Sequence, residues 1–103
     1  MKKGVLDMLV LKFLSGREMY GYQIISELAD LSDRRFVLKE GTLYPILYRL
    51  EDDGQIESHW SEAEGKRVAR KYYAVTAEGM RTLSEIRTLW KEISSTVERI
   101  MED

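Results

Sequence analysis

From Leu83 onward the apolar residues Leu83, Ile86, Trp90, Ile93, Val97 and Ile100 recur at spacings of 3, 4, 3, 4 and 3. That is an a/d seam of the kind that holds paired helices together. Thr76 stands ahead of it as a helix cap, and Glu78 falls in the first turn, where negative charge suits the helix dipole. A helix of about 26 residues spans roughly 39 Å, which outreaches the small body of a 103-residue chain. The distal seam therefore needs a partner, and a second copy of the same helix is the economical one. All six seam residues are expected at a homodimer interface.

The first helix, over about residues 4–15, points the same way. Val5, Leu6, Met8, Leu9, Val10, Leu11, Phe13 and Leu14 leave it apolar nearly all round, and such a helix must be covered on every side. One face meets the core, and the other places Leu6, Leu9 and Phe13 against the second subunit. The stretch is too short to cross a membrane and is interrupted by Asp7 and Lys12. No small-residue cleavage site follows it, and Arg17-Glu18 comes directly after. A cytoplasmic protein without a membrane partner is the expectation.

Between these two helices lie the other elements. A second helix runs from about Tyr20 to Leu31, with Ile24, Ile25, Leu28 and Leu31 as its buried stripe. Gly21 near its start permits close approach of another helix or of a phosphate, and packing is the preferred reason. The polar turn Ser32-Asp33-Arg34-Arg35 and a short extended piece lead to a third helix, from about Glu40 to Asp53. There Leu43, Ile46, Leu47 and Leu50 form one apolar face, and Thr42, Tyr44, Tyr48 and Arg49 lie opposite. Pro45 falls in the first turns, where a missing N–H costs little. Gly54 suits the left-handed position after the helix end. Residues Ile56 to Ser61 alternate as a half-buried strand with Ile56 and Trp60 inward, and Arg67 to Val75 form a second strand. The order predicts a mainly α fold with a small β-hairpin: a winged helix-turn-helix over residues 1–75 and a dimerisation helix over residues 76–103.

The formal charge of −2 rules out a uniformly basic coat, but the distribution is uneven. Arg34, Arg35, Lys39 and Arg49 face a single acid, Glu40, across their segment. Lys66, Arg67, Arg70 and Lys71 form a run without any acid, and the stretch from Glu51 to Glu64 is acidic without any Lys or Arg. Two cationic patches beside a hydroxyl-rich helix suit the major groove of double-stranded DNA and its flanking phosphates. Lys39, Thr42, Tyr44 and Arg49 are assigned to that surface, with Lys66 and Arg67 at the hairpin tip. Tyr48 is open between DNA contact and propping the helix on the hairpin. Arg70 and Lys71 are weaker candidates, because either can pair with the acidic run.

Enzymes are disfavoured by inventory. There is no Cys, one His and no Gly-rich loop of phosphate-binding spacing, so no catalytic residue, cofactor or metal site is expected. A winged helix serving as a protein-binding scaffold is the alternative of another class, but a scaffold has no need of acid-free cations on both the wing and the segment preceding the third helix. Trp90 is read either as dimer core or, since an indole packs poorly against its own copy across a narrow seam, as the wall of a slot for a planar aromatic molecule.

Four blocks of the chain together resemble the PadR family of bacterial transcriptional regulators. They are Met19-Tyr20-Gly21-Tyr22; Glu40-Gly41-Thr42-Leu43-Tyr44-Pro45 continued by Arg49-Leu50-Glu51 and Gly54-Gln55-Ile56; Arg70-Lys71-Tyr72-Tyr73; and Thr76-Ala77-Glu78-Gly79. The single long last helix resembles the short subfamily. The resemblance implies a homodimeric repressor on an inverted-repeat operator, with the first and last helices at the dimer interface. It implies DNA contacts at Tyr20, Thr42, Tyr44, Pro45 and Tyr48, with Lys66 and Arg67 in the wing, and a planar aromatic effector held near Trp90. The wing departs from a common family form: Val68-Ala69 precedes Arg-Lys-Tyr-Tyr in place of glycine or proline.

Overall fold

The computed structural model describes residues 4–62 and 68–102. Four helices and three strands follow in the order α1 (Val5–Gly16), β1 (Met19–Tyr20), α2 (Gly21–Leu31), α3 (Glu40–Asp52), β2 (Ile56–Trp60), β3 (Lys71–Val75) and α4 (Ala77–Glu102). The expected elements are all present, and one is new. Met19 and Tyr20 pair with Tyr73 and Tyr72, so the hairpin becomes an antiparallel three-stranded sheet of order β1-β3-β2.

The core lies where α1, α2, α3 and the inner face of the sheet meet. Val10, Leu11 and Leu14 of α1 pack with Ile24, with Leu43, Leu47 and Leu50 of α3, and with Met19, Ile56 and Tyr73 of the sheet. Leu83 and Ile86, expected at the dimer interface with the rest of the seam, instead close this core from the first half of α4, where α1 and the sheet already cover them. The predicted α3 stripe is thus buried, with Ile46 at its edge. Leu31, expected in the buried stripe of α2, is instead 69% exposed. It is the last residue of its helix, past the end of the surface that Ile24 and Leu28 cover.

Helix ends are built from local chemistry. The Thr76 hydroxyl accepts a hydrogen bond from the Gly79 N–H at 3.1 Å and donates to the Gly54 carbonyl at 2.6 Å. It therefore caps α4 and also ties it to the end of α3. Gly54 has φ +75°, and two bonds, Gln55 N–H to Leu50 O at 2.8 Å and Gly54 N–H to Glu51 O at 3.0 Å, close α3 as a Schellman motif. The same pair of bonds ends α2, from Arg34 to Ala29 and from Asp33 to Asp30. There the left-handed residues are Asp33 (φ 55°) and Arg34 (φ 64°), neither of them glycine.

The far half of α4 is left bare. Trp90, Ile93, Val97 and Ile100 are exposed, and exposure rises from 39% at Ile93 to 65% at Ile100. Leu6, Leu9 and Phe13 of α1 are half-buried. Among the described residues, no helix is long and apolar enough to cross a membrane.

Candidate nucleic-acid interface

At Gly21 the start of α2 lies close against Tyr44 of α3. A β-carbon there would stand 2.5 Å from the Tyr44 hydroxyl oxygen and 2.9 Å from its ring carbon Cζ. The missing side chain is what lets the Tyr44 ring lie over the start of α2, so packing is the reason for this glycine. Tyr44 is half-buried against the core. Its ring lies 6.0 Å from that of Tyr48 at a tilt of 34°, and one turn of helix separates the two. Burial raises the Tyr44 phenol above its ordinary range, helped by Glu40 and Tyr48, which keeps it a neutral donor. Thr42, Pro45 and Tyr48 are exposed on the same helix. The residue capping α3 is Lys39, without a side-chain capping bond, and among the described residues the Thr42 hydroxyl is engaged in no hydrogen bond.

Strand alternation supplies the opposite wall. Trp60 pairs with Lys71, and Ser58 with Tyr73, so these side chains share the inner face of the sheet with Ile56. The face extends past the core, however, and Trp60 at its end is 66% exposed rather than buried as its alternation suggested. Instead it lines a cleft of about 570 Å³ together with Tyr20, Gly21 and Tyr22 of the β1–α2 corner, Tyr44 and Tyr48 of α3, and Arg70, Lys71 and Tyr73 of the β3 arm. Five of the chain's six tyrosines meet there. Tyr73 forms the floor, its hydroxyl buried and without a hydrogen-bond partner. That burial, with Tyr48, Glu51 and Tyr44 nearby, pushes its phenol up to about 12.

The remaining sixth, Tyr72, holds the outer face. Its ring meets Tyr20 edge-on at 5.5 Å and stacks on His59 at 5.9 Å, and His59 lies 3.5 Å from Glu18. The Arg70 guanidinium sits 4.5 Å from the centre of the Tyr20 ring, and the Lys71 ammonium 5.6 Å from that of Tyr73. Both cations therefore lean on aromatic faces. Among the described ion pairs neither meets a carboxylate, and Glu64 of the acidic run lies outside the described residues. Trp60, Tyr22, Arg70 and Lys71 join the surface that the sequence had centred on α3. Only the joint alternation of both strands, extended past the core, signals the place of Trp60 and Lys71.

Arg49 is exposed on the same helix as Tyr44 and Tyr48, and its guanidinium Nη2 also donates to Asp7 Oδ2 of α1 at 2.5 Å. At about 3.6 residues per turn, position 49 lies within about 20° of Thr42 around the helix, two turns further along. The bond and charge of Asp7 hold the Arg49 guanidinium above its ordinary range. Lys66 and Arg67 lie outside the described residues. The described residues hold no cluster of His, Asp and Glu fit for a metal ion.

On the other side of the molecule, α1 and the middle of α4 enclose a second cleft, of about 310 Å³. Met8, Leu9 and Lys12 line one wall, and Leu83, Arg87, Trp90 and Lys91 the other.

Comparison with known proteins places this arrangement. The chain is 33% identical over 88 residues to the transcriptional regulator Rv3488 of Mycobacterium tuberculosis, covering 85% of this chain and 78% of that one. A PadR family transcriptional regulator from Eggerthella lenta superposes with a TM-score of 0.85 at 37% identity, over 96% of this chain and 83% of its own. A PadR-like regulator from Bacillus cereus gives 0.82 at 32%, over 100% and 97%. The profile of the transcriptional regulator PadR-like family matches residues 10–85, from the middle of α1 to the first turns of α4 and across the tyrosine cleft between them. The chain belongs to that family, whose members are DNA-binding regulators of transcription and not enzymes.

Proposed function

We propose that the protein is a homodimeric repressor that reads an inverted-repeat operator with α3 of each subunit. The observation that carries this is the pairing of two open surfaces. One is the face of α3 bearing Thr42, Tyr44, Pro45 and Tyr48, continued through the cleft to Arg70 and Lys71. The other is the bare seam of α4 from Trp90 to Ile100. A two-fold dimer through the second presents the first twice, in opposite senses. Lys39 and Tyr20 flank the reading face, and the cations of the cleft suit the phosphates. The two α3 helices then address half-sites about one turn, roughly 34 Å, apart or a multiple of it.

Selection of binding sites from a randomised duplex pool tests this directly. The expected product is a palindrome whose affinity falls steeply with salt, because phosphate neutralisation releases counterions. Recovery of no sequence, or affinity indifferent to salt, removes the reading. Tyr44→Phe and Thr42→Ala should each weaken binding to the selected duplex.

Release by a planar aromatic effector is the finer part of the proposal. It is supported by the cleft between α1 and α4, where Met8 and Leu9 face Trp90, next to the seam itself.

A further inference from the structure

Among the described residues, Asp7 is the most buried charged one. It is 3% exposed, although its helix already fills the core through Val10, Leu11 and Leu14. Among the described residues its side chain bonds to one group, the Arg49 guanidinium, 42 positions away in the chain. The carboxylate is buried while the Arg49 side chain stays 45% exposed, and stability alone is a poor reason to bury such a charge, because an apolar residue packed in its place is often as stable. Direction is the better reason. Leucines packed side by side can slide past one another, whereas a charge-assisted hydrogen bond fixes both angle and distance.

The pair joins two helices with different duties. On α1, the neighbours Met8 and Leu9 face α4 across the cleft at Trp90, so α1 belongs to the base on which the dimer would be built. On α3, Arg49 follows Tyr48 by one residue. We propose that Asp7 is a positioning residue: through Arg49 it sets the angle of the reading helix on the dimer base, and with it the half-site spacing that the dimer accepts. The inference rests on the proposed reading of a dimeric repressor. It also makes Arg49 an anchor rather than a phosphate contact.

A double-mutant cycle of Asp7→Asn, Arg49→Gln and the two combined tests it, with urea unfolding of each variant as the control for folding. The probes are the duplex selected by the wild type and versions with the half-sites moved one base pair closer or further apart. Each single variant should lose about tenfold in affinity, within the range of coupling through a packed network. The double variant should lose no more than either single one. The preference for the selected spacing should flatten while the salt dependence stays as in the wild type. If Arg49→Gln alone weakens binding and lowers the salt slope by about one, Arg49 touches a phosphate and the proposal fails. Unchanged spacing preference in Asp7→Asn overturns it equally. Should the singles not fold, the apolar pair Asp7→Leu with Arg49→Met takes their place, with the same expected loss of spacing preference. If the wild type selects no duplex, the DNA reading has failed, and amide exchange without DNA decides the positioning claim. Asp7→Asn should then speed exchange in α3 and leave α2 unchanged, and equal rates in α3 refute it.

Discussion

The Tyr44 ring occupies the space that a side chain at position 21 would need, with its hydroxyl oxygen 2.5 Å from where a β-carbon on Gly21 would lie. Tyr44 is thus held in place by an absence on α2 as much as by its own helix. Gly21→Ala is expected to swing the ring outward. Overpacking of this kind costs about 1–3 kcal/mol, and the displaced hydroxyl should lower DNA affinity by about tenfold, one hydrogen bond's worth. Urea unfolding and a fluorescence-anisotropy titration measure the two effects. Wild-type affinity in Gly21→Ala would mean that the Tyr44 position is irrelevant to binding.

Tyr73 carries a buried hydroxyl without a partner. Removing such a group relieves its lost hydration, so Tyr73→Phe should be neutral or stabilising by up to about 1 kcal/mol. The pH dependence follows from the phenol's rise to about 12 against an ordinary value near 10. A pKa raised by folding contributes stability that is complete below the unfolded value and lost as pH climbs through the folded one. Wild-type stability should therefore fall between about pH 10 and 12, by on the order of 2–3 kcal/mol from this residue, and Tyr73→Phe should flatten that fall. Chemical denaturation at stepped alkaline pH checks both.

Asp33 and Gly54 hold the same place in two Schellman motifs, and only one of them is glycine. An L side chain in the left-handed region costs roughly 1–2 kcal/mol, partly recovered by Asp. Asp33→Gly should relieve that strain at the cost of a more flexible unfolded chain, for a net gain of about 0.5 kcal/mol. A rise in the urea midpoint with an unchanged slope is the expected result. A fall would mean that the Asp33 side chain supplies a contact of its own.

The exposed seam makes the dimer testable without DNA. Ile93→Glu places a charge in the middle of it, where burial of an unpaired carboxylate costs several kcal/mol. Sedimentation should show a dimer for the wild type and a monomer for the variant. The circular dichroism of the body should persist, because α4 meets the core through Leu83 and Ile86, before the substituted position. A monomeric wild type would remove the two-fold reading.

Trp90 offers an optical test of the effector cleft. A planar aromatic compound bound between α1 and α4 should quench its fluorescence. Trp60 lies in the other cleft, so Trp90→Phe is the control. Equal quenching with and without Trp90 would move the ligand elsewhere or make it nonspecific.

Much of the molecule is written locally. The a/d seam of α4, the apolar stripe of α3, the cap at Thr76 and the left-handed Gly54 each depend on residues within a turn or two of one another, and periodicity or stereochemistry exposes them. The placing of Thr42 and Tyr44 opposite that stripe was readable for the same reason, whereas Pro45 entered as a site residue only through the family resemblance. Tertiary structure decided what depends on distant partners. Two residues cannot display a period, so Met19–Tyr20 became a strand only beside Tyr72 and Tyr73. Alternation told which way Trp60 points but not that the core ends before reaching it, which turned an expected core residue into a cleft wall. Leu31 lost its cover by the same geometry. The Asp7–Arg49 pair spans 42 residues. Each member alone reads as an ordinary charge on an amphipathic helix, and only the crossing of α1 over α3 brings them together and takes the carboxylate out of water.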